Sequence, residues 1–217
     1  TPRSSSAASD VYKRQHFGLR ANTLSHVSSL GGSTQTLERP GARWRLEAPL
    51  TTRKRSDVEA WLAFFVKLGG TAGRFYAGDP GAATARGTAS TTSGTPLVNG
   101  ASQTGKTLNI DTDGTVTSQT GWMLTGDMFA LDLPSGGRSL HKLTADADID
   151  GSDECTLAFA PALRESPADN EALIISSPTC VMRLTDDDTM WRESPLSDTD
   201  TLYEMAFACI ESFNVGE

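Results

Sequence analysis

Residue types and spacing come nearest to chemistry in Asp146-Ala147-Asp148-Ile149-Asp150-Gly151. Alternate carboxylates closed by a glycine form the first half of a calcium loop, D-x-D-x-D-G. The second half departs from that pattern. Its last position is Leu157, where a bidentate glutamate is required, and the flanks read as strands rather than helices. The segment is therefore expected to be an acidic β-hairpin turn between Leu143 and Leu157, without a metal. Asp111-Thr112-Asp113-Gly114 is weaker still, because Asp-Gly is a common turn dipeptide. Asp186-Asp187-Asp188, followed by Trp191, reads first as a solvated loop. Its sharper alternative is a sugar site, with carboxylates beside an aromatic platform. Trp122 is the second tryptophan considered for glycan contact.

Other reactive types are scattered. His16, His26 and His141 stand beside no cysteine, no second histidine and no G-x-S-x-G serine, and His141 lies in an apparent strand. Cys155, Cys180 and Cys209 are odd in number and widely spaced, without C-x-x-C, so neither a disulfide framework nor a zinc site is indicated. Each sits in an apolar run, which reads as a buried thiol in a reducing compartment. Walker A and G-x-G-x-x-G patterns are absent. No pair of carboxylates stands out from the 27 acids for glycoside hydrolysis. The residues carry no enzyme signature and call for no cofactor.

The elements that would position these residues follow from periodicity. Trp44, Leu46, Ala48 and Leu50 alternate with Arg43, Arg45 and Glu47, the period of a half-buried strand. Pro49 lacks a backbone donor and suggests an edge or an end there. Ser56-Asp57-Val58-Glu59 is a capping box, with Ser56 and Glu59 exchanging bonds across the first turn. Val58, Trp61, Leu62, Phe65 and Leu68 then recur at helical spacing, and Gly69-Gly70 supplies the stop, so a helix is expected over 56–68. Phe75 lies in a short strand that runs into the turn at Gly78-Asp79-Pro80.

From residue 83 to 180 the chain reads as short strands at regular spacing, including 139–145, 154–160 and 172–175, as in a small barrel or sandwich. The last run, 201–211, is apolar on both faces: Tyr203, Met205, Phe207 and Cys209 on one, Leu202, Ala206, Ala208 and Ile210 on the other. Such a strand is interior. It is expected to return to the first domain and pack under the helix. The fold class is mainly β, a discontinuous β-sandwich with one flanking α-helix (16–82 and 181–217) plus an inserted small β-barrel or sandwich domain (83–180).

Bulk properties narrow the partners. A hydrophobic content of 37% and a charged content of 21% are ordinary for a globular chain, and the formal net charge is −8. Nucleic-acid binders usually carry a basic stripe, and the densest basic run here is only Arg53-Lys54-Arg55. Neither nucleic acid nor membrane insertion is expected; no apolar run approaches the ~18 residues of a spanning helix. Residues 1–15 stand apart. Asp10-Val11-Tyr12-Lys13-Arg14-Gln15 can be written GAT GTG TAT AAG AGA CAG, which resembles a transposon end used in sequencing libraries, and Ser5-Ser6-Ala7-Ala8-Ser9 fits the primer before it. These residues are set aside from the fold as a translated adapter scar, with the expectation that the true start and a first strand are missing.

The order of blocks carries a resemblance. Trp44-Arg45-Leu46, the helix with Trp61 and Phe64-Phe65, and Gly73-Arg74-Phe75-Tyr76-Ala77-Gly78-Asp79-Pro80 come first. Gly105-Lys106-Thr107-Leu108, Gly121-Trp122, Leu124-Thr125-Gly126-Asp127-Met128-Phe129, Pro161-Ala162-Leu163-Arg164 and the closing run 207–211 follow. Together, over residues 17–213, they resemble the distal tail proteins of long-tailed bacteriophages. That resemblance implies a structural virion protein related to the tail tube. It would assemble in the host cytoplasm as a ring, in that family a hexamer, between the tail tube protein and the tail tip or baseplate. It implies no catalytic residues and no cofactor. Trp44, Ser56, Glu59, Trp61, Phe65, Phe75, Tyr203 and Phe207 are its packing residues here. Two other classes stand beside it: a carbohydrate- or receptor-binding module of a tail tip, touching host surface glycan through Trp122 or Trp191, and a hydrolase of cell wall or polysaccharide.

Overall fold

The computed structural model describes residues 15–52, 55–91, 93–112, 114, 116–188, 190–197 and 200–213. The chain is mainly β and sandwich-like. Fifteen strands and one α-helix occur among the described residues. The chain divides into two compact units. One comprises Thr1–Gly18, Trp44–Phe75 and Met182–Ser212; the other comprises Leu19–Arg43, Tyr76–Val181 and Phe213–Glu217.

The first unit is built around β15 (Asp200–Glu211). On one side β15 pairs antiparallel with β4 (Arg43–Thr52), Phe207 opposite Ala48 and Cys209 opposite Leu46. On the other, β14 (Trp191–Ser197) pairs with its first half and β13 (Cys180–Leu184) with its end. The sheet runs β1-β4-β15-β13-β5, where β1 is His16–Arg20 and β5 is Phe75–Ala77. Pro49 therefore lies in an interior strand, opposite Ala206, and not at an edge. The strand at that side is the short β1, whose Phe17 stacks on Trp44 at 5.2 Å, at the start of β4.

The helix, α1 (Arg55–Leu68), begins one residue before the capping box, so Ser56 is its second residue. Glu59 accepts from the Arg55 guanidinium at 3.0 Å, an i,i+4 pair. Gly69 ends the helix with φ 64° and ψ 46°, a left-handed conformation that costs glycine little. Val58 and Phe65 are buried, and Phe65 lies 4.8 Å from the Phe207 ring. The two faces of β15 differ, however. Met205 and Cys209 on the helix face are buried, whereas Ala206 on the opposite face is exposed and Ala208 and Ile210 are half-buried. The expected second covering layer is not found among the described residues. Alanine is small enough that exposing it costs little, which is why an apolar run was compatible with a half-covered strand.

The second unit holds a five-stranded sheet in the order β6-β7-β12-β10-β9: Leu97–Val98, Gly105–Asp111, Glu154–Leu163, Arg138–Leu143 and Met128–Asp132. A ribbon of β8 (Gln119–Met123) and β11 (Ala147–Ile149) accompanies it. Val98, Leu108, Ile110, Trp122, Phe129, Leu157 and Phe159 share its core. Residues 172–175, expected as a strand, make only isolated bridges, Leu97 to Ala172 and Ala130 to Ile174. The hairpin of β2 (Thr23–Val27) and β3 (Thr34–Glu38) groups with this unit, although the sequence reading placed it in the first. Lys106 Nζ bonds both Glu38 carboxylate oxygens at 2.8–2.9 Å, and an Arg164 N–H donates to Ala42 O at 2.8 Å. Both are long-range contacts that no local pattern announces.

Candidate functional site

The acidic run 146–150 resolves into three separate anchors. Asp146 Oδ1 accepts from Thr125 N and Thr125 Oγ1, both at 2.7 Å, which holds its carboxyl below the usual range. Asp148 Oδ1 accepts from Gly121 N at 2.6 Å. Asp150 Oδ1 accepts from Ser152 N and Glu154 N. Asp146 and Asp150 satisfy turns, whereas Asp148 bonds a strand residue. Ala147–Ile149 is itself a strand paired with Gln119–Met123, so the segment is not the simple hairpin turn expected. Leu157 is wholly buried in the core. Among the described residues no group of three His, Cys, Asp or Glu side chains converges as metal ligands would. Of the weaker Asp-Gly turn, Asp113 lies outside the described residues.

The histidine and thiol side chains are sequestered. His141 Nδ1 donates to Pro161 O at 2.9 Å, so the neutral ring accepts at Nε2 from Ser139 Oγ, 3.0 Å away. It is flanked by Phe129 and Phe159 at 5.3 and 4.8 Å. Burial pushes its pKa down to about 4. Burial likewise pushes the Cys155 and Cys209 thiols up to about 11 and about 12. All three cysteines are buried, and the raised Cys155 and Cys209 values hold those two thiols away from the thiolate that nucleophilic chemistry requires.

The open feature is on the first unit: a groove of about 850 Å³. It lies beside Thr185, Asp186, Asp188 and Met190, between β13 and β14. Its lining includes His16, Phe65, Asp186, Asp188, Met190, Trp191, Arg192, Glu204 and Phe207. The three aspartates of the run take different roles. Asp187 turns back to accept from Thr71 N at 2.8 Å, which lowers its pKa. Asp186 Oδ1 accepts from Asp188 N at 3.1 Å, an Asx turn. Asp186 and Asp188 thus line a groove whose loop Asp187 ties down. Trp191 opens β14, 48% exposed, so it belongs to a strand rather than to the expected loop.

Trp122 is different. It is 1% exposed, packed in the core of the second unit, and so its indole offers no face to a glycan. Trp44 and Phe65 are buried. Trp61, partly exposed, stacks on Phe65 and lies 5.8 Å from Phe207. Phe75 meets Phe64 edge-on at 5.5 Å, and Tyr203, half-buried, stands opposite Glu193 in the β14–β15 pair. Ser56 and Glu59 are exposed on the first turn of α1.

Two polar centres escaped the sequence reading. Trp44 N donates to the wholly buried Glu211 at 3.1 Å, across β4 and the end of β15. Asp127, also buried, accepts from Leu124 N at 2.9 Å, Arg86 N at 3.1 Å and Arg86 Nε at 3.0 Å. Burial alone would raise the Asp127 pKa, but these bonds and the Arg86 charge bring it below the usual carboxylate range. The only local signal was Gly126-Asp127 in a turn; the partner lies 41 residues away.

No protein-family model matches the chain, and comparison with curated proteins finds no match.

Proposed function

We propose that this chain is a structural protein of a phage tail, which forms a ring of its own copies between the tail tube and the tail tip or baseplate. The block order set out above suggests it, and the β2–β3 hairpin is the observation that supports it most. Every residue of both strands is exposed. Leu24 pairs across the ribbon with Leu37, and Val27 and Leu30 are exposed nearby, Leu30 completely. An isolated two-stranded ribbon is marginal in water and gains from a covering partner. The base is fastened: Arg39 N donates to Asn22 O, Asn22 Nδ2 donates to Pro40 O, and Lys106 holds Glu38.

Charge makes a second copy the fitting partner. The chain carries a net charge of −8, yet residues 21–37 contain no Asp, Glu, Lys or Arg. Copies of an acidic chain repel, so a self-contact belongs where charge is absent and leucine is present, as in the core of a protein interface. A ring needs a heterologous contact that closes, and an arm laid from each copy onto its neighbour is one. Negative-stain microscopy with light scattering on the purified chain tests this. Closed rings with a central channel are expected. A monomer at every concentration, both alone and mixed with a tail tube protein, overturns it.

A further inference from the structure

We infer that the groove of the first unit binds an uncharged or amino-sugar carbohydrate chain, with Trp191 as the stacking platform and Asp186 and Asp188 as acceptors for its hydroxyls. The volume, about 850 Å³, lies within the range of small-ligand sites, about 300–1,000 Å³. Trp191 keeps 48% of its surface exposed, and Met190 beside it keeps 75%. An indole left open beside a concavity has a flat apolar face available, and the C–H face of a pyranose is its complement. Trp122 and Trp44, by contrast, are used up in cores.

The polar groups suit hydroxyls. An ionised carboxylate only accepts hydrogen bonds, whereas a sugar hydroxyl can donate. The loop that presents Asp186 and Asp188 is held at its middle by the bond from Thr71 N to Asp187 and within itself by the bond from Asp188 N to Asp186. Less ordering is therefore left to binding. Arg192 adds donors for ring and hydroxyl oxygens. With Glu204 also on the lining, and a net charge of −8, phosphorylated or sulfated chains are disfavoured. The site lies within one unit and is independent of ring formation.

The test is a tryptophan-fluorescence titration of the full chain with chitotetraose, maltohexaose and dextran sulfate. A saturable change is expected with chitotetraose or maltohexaose and not with dextran sulfate. Affinity should fall about two- to tenfold in Trp191→Ala, the size of one aromatic contact, and measurably in Asp188→Asn. Trp61→Phe should bind as the parent does. Both groove substitutions are at the surface, and an unchanged thermal transition checks that they fold. No saturable change with either neutral oligosaccharide, equal affinity in Trp191→Ala, or preference for dextran sulfate overturns the inference. The ring reading stands or falls separately, by microscopy.

Discussion

Phe207 on β15 and Phe65 on α1 meet with ring centroids 4.8 Å apart and planes tilted by 54°. This contact joins the helix to the final strand, 142 residues later in the chain by subtraction of the two numbers. Phe65 is almost wholly buried. Replacing it with alanine removes the ring from between Trp61, Phe64 and Phe207 and leaves a cavity. Phe65→Ala should cost about 3–5 kcal/mol, read as a lower urea midpoint. A loss below about 1 kcal/mol would mean that the helix does not depend on this contact.

Asp127 should be as sensitive, for a different reason. Asp127→Ala leaves the Leu124 and Arg86 backbone donors without their acceptor and the Arg86 guanidinium without its counter-charge. A loss of about 3 kcal/mol is expected. Because its folded pKa lies below the unfolded value, its contribution is present above the ordinary carboxylate range and disappears as pH falls through the folded pKa. Urea denaturation of parent and variant should therefore converge in strong acid.

His141 acts in a higher window. Its unfolded pKa is near 6.5 and its folded value about 4. Between them the unfolded chain takes up a proton that the folded chain refuses, so stability is full above about 6.5 and declines as pH falls toward 4. The total is about 3 kcal/mol, from the size of the shift. His141→Gln should flatten the stability profile between pH 7 and 4 relative to the parent, whatever its effect at pH 7. Equal slopes in the two proteins would show that His141 is not held neutral.

The hairpin is predicted to matter for assembly rather than for folding. Leu24→Asp combined with Leu37→Asp puts like charges opposite each other on an exposed ribbon. The thermal transition should move by only a few degrees, while rings are lost and light scattering reports the monomer mass. Rings that persist in the double variant would remove the hairpin from the interface.

Gly70 and Asp187 should prove coupled. Gly70 has φ 68°, and a Cβ there would come within 2.6 Å of Asp187 Oδ1. Gly70→Ala should cost about 1–2 kcal/mol from backbone strain alone, and more while Asp187 is present. A double-mutant cycle with Asp187→Ala should give an interaction energy above about 0.5 kcal/mol. Strict additivity would contradict the contact.

Much of the architecture was legible because it is local. The alternation from Trp44 to Leu50, the helical stripe from Val58 to Leu68 and the glycine after it each depend on a few neighbouring residues. The acids at 146–150 are only partly local: Asp150 bonds its own turn, whereas Asp146 and Asp148 accept from Thr125 and Gly121, 21 and 27 residues away. β14 was missed because Trp191-Arg192-Glu193-Ser194-Pro195 has no clean alternation and contains a proline; its pairing with β15 holds it in place.

The sequence by itself determined that this is a mainly β chain with a capped helix over 56–68, buried thiols and no recognisable catalytic motif. Only the tertiary structure decided that Trp122 is core while Trp191 is open to solvent. The same holds for the split roles of Asp186, Asp187 and Asp188, for the placement of the β2–β3 hairpin by Lys106 and Arg164, and for the finding of Asp127 by Arg86. Periodicity records how often a side chain turns toward one face. Whether that face is covered, and by what charge, depends on residues brought from a hundred positions away.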